Sequence, residues 1–314
     1  MDIVYYPHAI AASTILANPI CAITSVEPAH NFQDLTEVAA GQVGPQFHGT
    51  HMASPDNRFG TTQIKDILDA CLAGDYNISR DMTTTNVDVE YKAGDKYGAR
   101  VADATTAHLR MRMQANALLA WESLSAQQGG LAELRCRLVA TFNAATGNDP
   151  LMATSAVALS YTSALQQFYT LGPVRLNGTV MEGVQDAQLD NNIDYEECAG
   201  DGDAFLSYVG IANYAPVFTF HSRNLAYLDT YGERGTALSS WYWWLKKKIA
   251  SGINVADATV EHILFSATVG TIKARRIQSG GKPLAEVTVN LVQSAQNVAA
   301  FTFDTTSDVD FVSP

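Results

Sequence analysis

Hydrophobic and polar residues alternate along much of this chain. The alternation is clearest at 108–117, where five polar and five apolar residues take turns, and it recurs at 134–138 and 287–291. A period of two over ten residues predicts a long strand with one buried face. Strands are also predicted near Ile20–Val26 and Val174–Val184.

Turn and helix signals complete the pattern. Gly-Gly pairs at 129–130 and 280–281 predict hairpins. Thr61 or Thr62 could cap a helix over Ile64–Leu72, and Ser222 could cap a second over Asn224–Leu228. We therefore predict a mainly β protein with a single flanking helix in each half.

The sequence contains an internal repeat. Val101–Thr105 recurs as Val255–Thr259, each followed three residues later by a histidine, His108 or His262, at an offset of 154. Leu131–Val139 also matches Leu284–Val292 at an offset of 153. Such self-similarity is typical of repeated structural units.

Weaker matches extend the repeat upstream. Residues 55–68 match 216–229 at an offset of 161, and Ile23–Glu27 matches Met181–Gln185 at an offset of 158. We infer a tandem duplication with units at 1–150 and 151–314. The turn formers of Gly147–Pro150 mark the predicted boundary.

Composition narrows the function. The 314 residues (33.8 kDa) carry a net charge of −12, and the halves 1–157 and 158–314 carry −6 each. A protein that binds nucleic acid through its phosphates needs a basic surface, so the acidic composition argues against nucleic-acid binding. The four cysteines are far apart in the sequence, which indicates free thiols. The sequence contains no apolar run of 18 residues, so we expect no membrane-spanning helix. The first basic residue is Arg58, which argues against a signal peptide.

No constellation of residues supports an enzyme, a cofactor or a metal. The acidic stretch 196–203 lacks the spacing of a calcium loop, and His48 and His51 have no third ligand placed beside them. We interpret both as surface loops. His108 and His262 are expected to make structural hydrogen bonds.

An aromatic and basic segment covers 241–248. It has no evident counterpart in the first half, and we interpret it as a candidate subunit contact in which lysines meet an acidic neighbour. The residues concerned are Trp241, Trp243, Trp244, Lys246, Lys247 and Lys248.

The duplication, the long hairpins, the flanking helices and the Val180–Gln185 segment together resemble one family. The chain resembles the tail tube proteins of long-tailed bacteriophages, in the subset with two fused tube domains. The resemblance implies antiparallel β-sandwich or barrel units with long hairpins. It also implies homotrimeric rings of six units that stack into a virion tail tube, made in the host cytoplasm. DNA would pass through without specific binding, and the tube would contact other tail proteins.

Within such a tube the hairpins of six units would close one barrel, and an acidic lumen would repel phosphates. Glu133 and Glu286 are the candidate lumen charges, although Arg110 and Arg112 could equally face the lumen.

Other functions remain open. The first alternative is another ring- or shell-forming virion protein, a tail hub or a duplicated capsid protein. A sliding clamp would need more helix and a basic hole, and a hydrolytic or carbohydrate-binding β protein would need an asymmetric polar cleft.

Overall fold

The computed structural model describes residues 3–12, 15–29, 32–37, 47–53, 56–82, 86–113, 117–142, 151–161, 167–199, 205–249 and 252–309. Strands account for 59% of the structure and helices for 6%. The predicted mainly β fold class is confirmed.

The first half contains one helix, α1 (Ile64–Cys71), and a 3₁₀ turn at Asp75–Asn77. Its strands are β1 (Val4–Ala12), β2 (Ile23–Ala29), β3 (Phe32–Glu37), β4 (Phe47–Ala53), β5 (Asp56–Thr61), β6 (Ser79–Asp81), β7 (Val87–Gly94), β8 (His108–Met113), β9 (Ala117–Gln127), β10 (Glu133–Ala140) and β11 (Leu151–Val157).

The second half contains α2 (Tyr227–Tyr231). Its strands are β12 (Phe168–Leu176), β13 (Thr179–Val180), β14 (Val184–Asp190), β15 (Ile193–Ala199), β16 (Leu206–Tyr214), β17 (Val217–Ser222), β18 (Thr236–Leu238), β19 (Trp241–Lys248), β20 (His262–Ala267), β21 (Gly270–Ser279), β22 (Lys282–Leu291) and β23 (Thr302–Ser307).

The two halves share one topology. The sheet β1-β7-β8-β11 recurs as β12-β19-β20-β23, with β13 added at its edge. The order β9-β10-β5-β2 recurs as β21-β22-β17-β14, and the hairpin β3–β4 recurs as β15–β16. The repeat therefore extends over whole sheets, well beyond the matched sequence blocks. Below, the first unit means β1–β11 and the second unit β12–β23.

Irregularities in the strands recur as well. The ladder of β2 on β5 shifts register between Ile23 and Ser25, and that of β14 on β17 shifts between Val184 and Asp186. This places Ile23 in the position of Val184. The predicted match of Ile23 with Met181 was wrong by three residues.

The two units join edge to edge. Strand β14 pairs with β9, which produces one ten-stranded antiparallel sheet in the order β18-β21-β22-β17-β14-β9-β10-β5-β2, with β6 also on β9. The described residues of one chain form no closed barrel, because this sheet ends at β2 on one side and at β18 and β21 on the other.

The first unit extends past the predicted boundary at residue 150. Strand β11 pairs with β8 of the first unit, and Leu159 donates its amide to the carbonyl of Asp103. The predicted boundary turn, Gly147–Pro150, lies outside the described residues.

One hydrophobic core spans both units. A fully buried row crosses the ten-stranded sheet, because directly paired residues point to the same face. Its members are Leu134, Leu124, Leu189, Phe218, Val289 and Ile272. Burial on one face explains the period-two pattern of the sequence.

Several local predictions need correction. The strand predicted over 108–117 is two strands in different sheets, β8 and β9. Both Gly-Gly hairpins are confirmed, and the second has positive φ at Gly280 and Gly281, as a two-residue turn requires. Helix α1 has Gln63 rather than a threonine at its N-cap, and α2 begins at Tyr227 with Ala226 rather than Ser222 at its N-cap.

Candidate assembly interface

The junction between the units is a strand ladder. Ser123–Gln127 of β9 pairs with Asp186–Asp190 of β14, and the amide of Gln128 donates to the carbonyl of Gln185 at 2.7 Å. The same edge of β9 holds β6 along Leu118–Ala120. The outer edge of β9 is thus divided between a strand of its own unit and a strand of the other.

Polar side chains satisfy the backbone at the junction. Asn191 is fully buried, and its side-chain amide donates to the carbonyl of Trp121 at 2.9 Å. Its backbone amide donates to the carbonyl of Glu122, also at 2.9 Å. Thr170 of the second unit donates its hydroxyl to Gly130 in the hairpin turn of the first. Because unpaired buried amides are costly, these contacts fix the position of one unit on the other.

Aromatic packing closes the junction on the core side. Trp121 of β9 is fully buried and meets Phe265 and Phe301 of the second unit edge to face, with ring centroids 6.4 Å and 5.8 Å away. Its indole nitrogen donates to the carbonyl of Asn77. The junction is therefore built like a protein interior.

The hairpin β15–β16 reaches over the first unit. Arg137 of β10 binds Asp56 of its own unit and Glu197 of β15, both at 2.8 Å, and its guanidinium stacks 4.3 Å from the centre of the Tyr195 ring. Opposite charges on both sides raise the pKa of Arg137 against the desolvation that burial imposes. Arg137 remains charged and anchors the hairpin across the junction.

The same hairpin covers apolar surface. Leu118 and Thr141 of the first unit line one crevice with Tyr208 and Val209 of β16, and both are at least 92% buried. By strand pairing the matching positions of the second unit are Thr271, which is half-buried, and Val292, which is 51% exposed. One unit thus has a cover that the other lacks within the described chain.

The outer edges of the ten-stranded sheet are open over the described residues. Strand β2 pairs on one side with β5 and on its other side with no strand. Strand β21 pairs with β18 along Gly270–Ile272, and the amide of Ala274 donates to the carbonyl of Gly232 at 2.9 Å, so the edge of 275–279 has no partner strand in the described part of the chain. Unpaired edges invite pairing with another chain.

The two candidate lumen charges lie on the polar face of the ten-stranded sheet. Glu133 is half-buried and accepts a hydrogen bond from the Thr24 hydroxyl at 2.8 Å. Glu286 accepts from Arg275 at 2.5 Å and contacts His221 at 3.3 Å. Burial opposes ionisation of Glu286, but the hydrogen bonds and charges of Arg275 and His221 lower its pKa below the usual value.

The two glutamates do not occupy matching positions. Glu286 lies opposite His221 of β17, whereas the corresponding position of β5, Gly60, lies opposite Arg135. The sequence alignment at an offset of 153 therefore differs by two residues from the equivalence that the strand pairing gives.

Charges of both signs share this polar face. Arg275, Glu286, His221 and Asp186 form one row across four strands, with His221 only 2.6 Å from Asp186. The described carboxylates of the face are Glu27, Asp56, Asp81, Glu133, Asp186, Asp190 and Glu286, and its cations are Arg58, Arg135, Arg137, Lys273, Arg275 and Lys282. The face is mixed in charge rather than uniformly acidic.

The aromatic residues of the 241–248 segment are buried within the chain. Trp241 and Trp243 are fully buried against Phe218, with ring centroids 4.9 Å and 5.1 Å away, and Trp244 donates its indole N–H to the carbonyl of Asp308. These three side chains are therefore part of the fold of the second unit.

The lysines of this segment face acidic groups of their own chain. Lys246 pairs with Asp257 at 2.6 Å and Lys247 with Glu261 at 3.1 Å, and Lys248 is half-buried. A contact of these lysines with another subunit stays a prediction.

The segment has a counterpart in the first half, contrary to expectation. Strand β7 occupies the position of β19, and its Lys92 pairs with Asp103 as Lys246 pairs with Asp257. Both aspartates belong to the repeated Val-Ala-Asp-Ala-Thr block.

The repeated histidines make matching structural hydrogen bonds. Nδ1 of His108 accepts from the amide of Ala93 at 2.9 Å, and Nδ1 of His262 accepts from that of Lys247 at 3.1 Å. Their Nε2 atoms face the carbonyls of Ala102 and Ala256. Each histidine ties its Val-Ala-Asp-Ala-Thr turn to the neighbouring strand.

Arg110 and Arg112 lie over the first unit's smaller sheet, away from the polar face. Arg110 binds the fully buried Glu90 at 2.7 Å, and Arg112 binds Asp88 at 2.6 Å. Glu90 also accepts the amide of Ser160, so these arginines hold the segment that follows β11.

The other sequence candidates contribute no site. His48 and His51 fall on strand β4 rather than in a loop, and 196–199 belongs to β15 while 200–203 lies outside the described residues. Among the described residues, no group of three or more His, Cys, Asp or Glu side chains is arranged to hold a metal ion. In the same residues, neither helix is long and apolar enough to cross a membrane.

Sequence reasoning missed Arg137, Asn191 and His221. Arg137 stands at a polar position of an alternating strand, and the pattern therefore predicts an exposed side chain. The hairpin from the other unit is what buries it. No local signal reveals such a contact.

A scan of the sequence against models of protein families finds no match, and a search of curated proteins finds no significant relative.

Proposed function

We propose that this chain is a virion structural protein that assembles into stacked rings and forms a tail tube. One observation carries the proposal: two units of shared topology join edge to edge at β9 and β14, and within the described residues the equivalent edges at the two ends of the sheet, on β2 and β21, are open. A contact between different surfaces that repeats from unit to unit closes into a ring or continues as a filament.

Three copies of the chain would supply six units. A ring of six would pair every large sheet with its neighbours and would close the sheets into a barrel without edges. The described residues of a single chain leave those edges open, which supports a role in self-assembly.

The polar face of the large sheet suits a surface that DNA passes. Its cations are interleaved with carboxylates, and Arg275 and Arg137 are already paired with Glu286, Asp56 and Glu197. A row of unpaired cations, which phosphate binding requires, is not present on this face within the described residues. The net charge of −12 further disfavours retention of DNA.

The proposed location is the virion tail, where the rings would contact other tail proteins. No residue of the described chain is assigned a catalytic or cofactor-binding role in this proposal.

Negative-stain electron microscopy of the purified full chain tests the proposal over a range of protein concentrations. Stacked rings with a central hole wide enough for duplex DNA are expected. Single rings that never stack would indicate a hub, closed shells would indicate a capsid role, and a monomer at every concentration would overturn the proposal.

A filter-binding assay with duplex DNA at low salt provides the second readout. The assembled protein should retain no more DNA than the buffer control, because tight phosphate contacts would block passage. Strong, salt-sensitive retention would contradict the tube.

A further inference from the structure

We propose that the partner of each open edge is a second copy of this chain, with β2 of one copy pairing antiparallel to the open part of β21 of the next, so that Glu27 lies opposite Arg275. The inference rests on the proposed ring assembly and specifies its contact.

The first support is the equivalence of β2 and β14. Both strands pair with the strand before the helix of their unit, β5 or β17, and both carry a register shift at the same place. By the pairing of β2 with β5 and of β14 with β17, Glu27 and Gln188 hold equivalent positions. Strand β14 binds β9 through its other edge, and the same edge of β2 has no partner strand among the described residues.

The second support is the equivalence of β9 and β21. Each forms a Gly-Gly hairpin with the next strand, and each gives part of its outer edge to a three-residue strand of its own unit, β6 or β18. On β9 the rest of that edge binds β14. On β21 the amide of Ala274 binds the carbonyl of Gly232, and the rest of the edge, 275–279, is open within the described chain.

Charge selects the register. In the existing junction Gln188 lies opposite Ser125, which pairs with Glu133. By strand pairing Glu133 matches Leu284, whose partner on β21 is Ile277, so Ile277 is the equivalent of Ser125. A shift of two residues from that position places Glu27 opposite Arg275.

The unshifted register, which repeats the junction within the chain, would place Glu27 opposite Ile277. That register leaves the carboxylate beside an apolar side chain, whereas cross-strand pairs of opposite charge stabilise a sheet. Glu27 is exposed and has no ion pair among the described residues, while the Arg275 side chain is 68% exposed.

A third, independent observation comes from the hairpins. In the existing junction the β15–β16 hairpin covers Leu118 and Thr141. By strand pairing Thr271 and Val292 hold the matching places in the second unit; Thr271 is half-buried and Val292 is exposed. Pairing of β2 with β21 carries the backbone of the β3–β4 hairpin of the next copy over these two residues, because β3–β4 follows β2 as β15–β16 follows β14.

One feature of β2 weakens the ladder. Pro28 has no amide hydrogen, so it cannot donate to either neighbour, and proline in sheets is found mainly on edge strands. The junction between copies is therefore expected to be weaker than the junction within a chain.

Disulfide trapping tests the contact in the full chain. The background carries Cys21→Ser and Cys198→Ser, because Cys71 and Cys136 are buried and burial raises the pKa of Cys71 to about 12. One preparation carries Glu27→Cys and another Arg275→Cys. After mixing and mild oxidation, a disulfide-linked dimer should form in the mixture at a yield at least about tenfold above either preparation alone, since directly paired strand residues meet the geometry of a disulfide.

Thr219→Cys replaces Arg275→Cys in the matched control. Thr219 lies on the same polar face but in β17, which has a strand on each side, so no cross-link is expected. A second pair, Ser25→Cys with Ile277→Cys, lies one step along the same register and should also cross-link, which keeps the test valid if one variant does not fold.

The outcomes separate the contact from the proposed function. Rings in the microscope without either cross-link would overturn the proposed contact and leave the ring assembly standing. A stronger cross-link between Glu27→Cys and Ile277→Cys would overturn the register. A chain that stays monomeric at every concentration would overturn both proposals.

Discussion

Trp121 and Phe301 meet edge to face across the junction of the two units, with ring centroids 5.8 Å apart and ring planes at 68°. Both side chains are at least 99% buried. The contact couples the two units, so folding of one unit and docking of the other are expected to occur together.

Phe301→Ala should therefore destabilise the whole chain rather than one unit. We expect the free energy of unfolding to fall by about 3–5 kcal/mol, the usual loss for a buried aromatic side chain. Denaturant unfolding followed by tryptophan fluorescence and by circular dichroism measures it. Tyr97→Ala, at a residue 84% exposed, is the control and should change little. Two separate transitions in the unsubstituted chain would contradict the coupling.

His108 and His262 should be equally important for stability. Replacement by alanine leaves the buried amide of Ala93, or the part-buried amide of Lys247, without its histidine acceptor. We expect each variant to lose about 2–5 kcal/mol, from the unpaired amide and the cavity together. Chemical denaturation of the two variants side by side provides the measurement. A loss confined to one of them would show that the two turns are not equivalent.

The ion pair of Arg110 with Glu90 is expected to matter more than that of Arg112 with Asp88. Glu90 is fully buried, so Arg110→Met would leave an uncompensated charge in the interior at a cost of about 3–5 kcal/mol. Arg112 is 41% exposed, and Arg112→Met should cost about 1 kcal/mol or less. Thermal unfolding ranks the two variants. Addition of Glu90→Gln to Arg110→Met should recover part of the loss, and the idea fails if it does not.

Glu286 gives the fold a defined acid sensitivity. Its pKa in the folded chain lies below the ordinary value of 4.5, against the effect of burial and because of Arg275 and His221. The ionised carboxylate therefore stabilises the fold above pH 4.5, and that contribution is lost as the pH falls through the folded-state pKa.

Replacement of Glu286 by Gln should therefore reduce the change of the free energy of unfolding with pH. The difference in unfolding midpoint between the natural chain and the variant should be largest above about pH 5 and should shrink towards more acidic pH. Glu196→Gln, at an exposed position of β15, provides the control. A difference that grows on acidification would reverse the assigned sign.

The sequence predicted those features that short patterns encode. Alternation at 134–138 and 287–291 predicted β10 and β22, Gly280 and Gly281 predicted a hairpin, and the repeated His108 and His262 predicted two matching structural contacts. These features depend on residues close together in the chain, for which local periodicity is informative.

Features that depend on pairing between distant strands were not predicted. Val87 and Val89 of β7 hold the positions of Trp241 and Trp243 of β19, and different apolar residues in the same buried positions hid the match. The apparent equivalence of Glu133 with Glu286 has the same origin, because the letters align while the ladders differ by two residues. The exposed edges of β2 and β21 are likewise properties of sheet order, which the sequence pattern does not contain.

The pairing of β9 with β14 does not depend on the protein concentration. Both strands belong to one polypeptide, so they meet at an effective concentration of about millimolar, however dilute the protein is. Dilution can separate chains but cannot separate these two strands. A ring built from this chain has every second junction made during folding, before any two molecules have met.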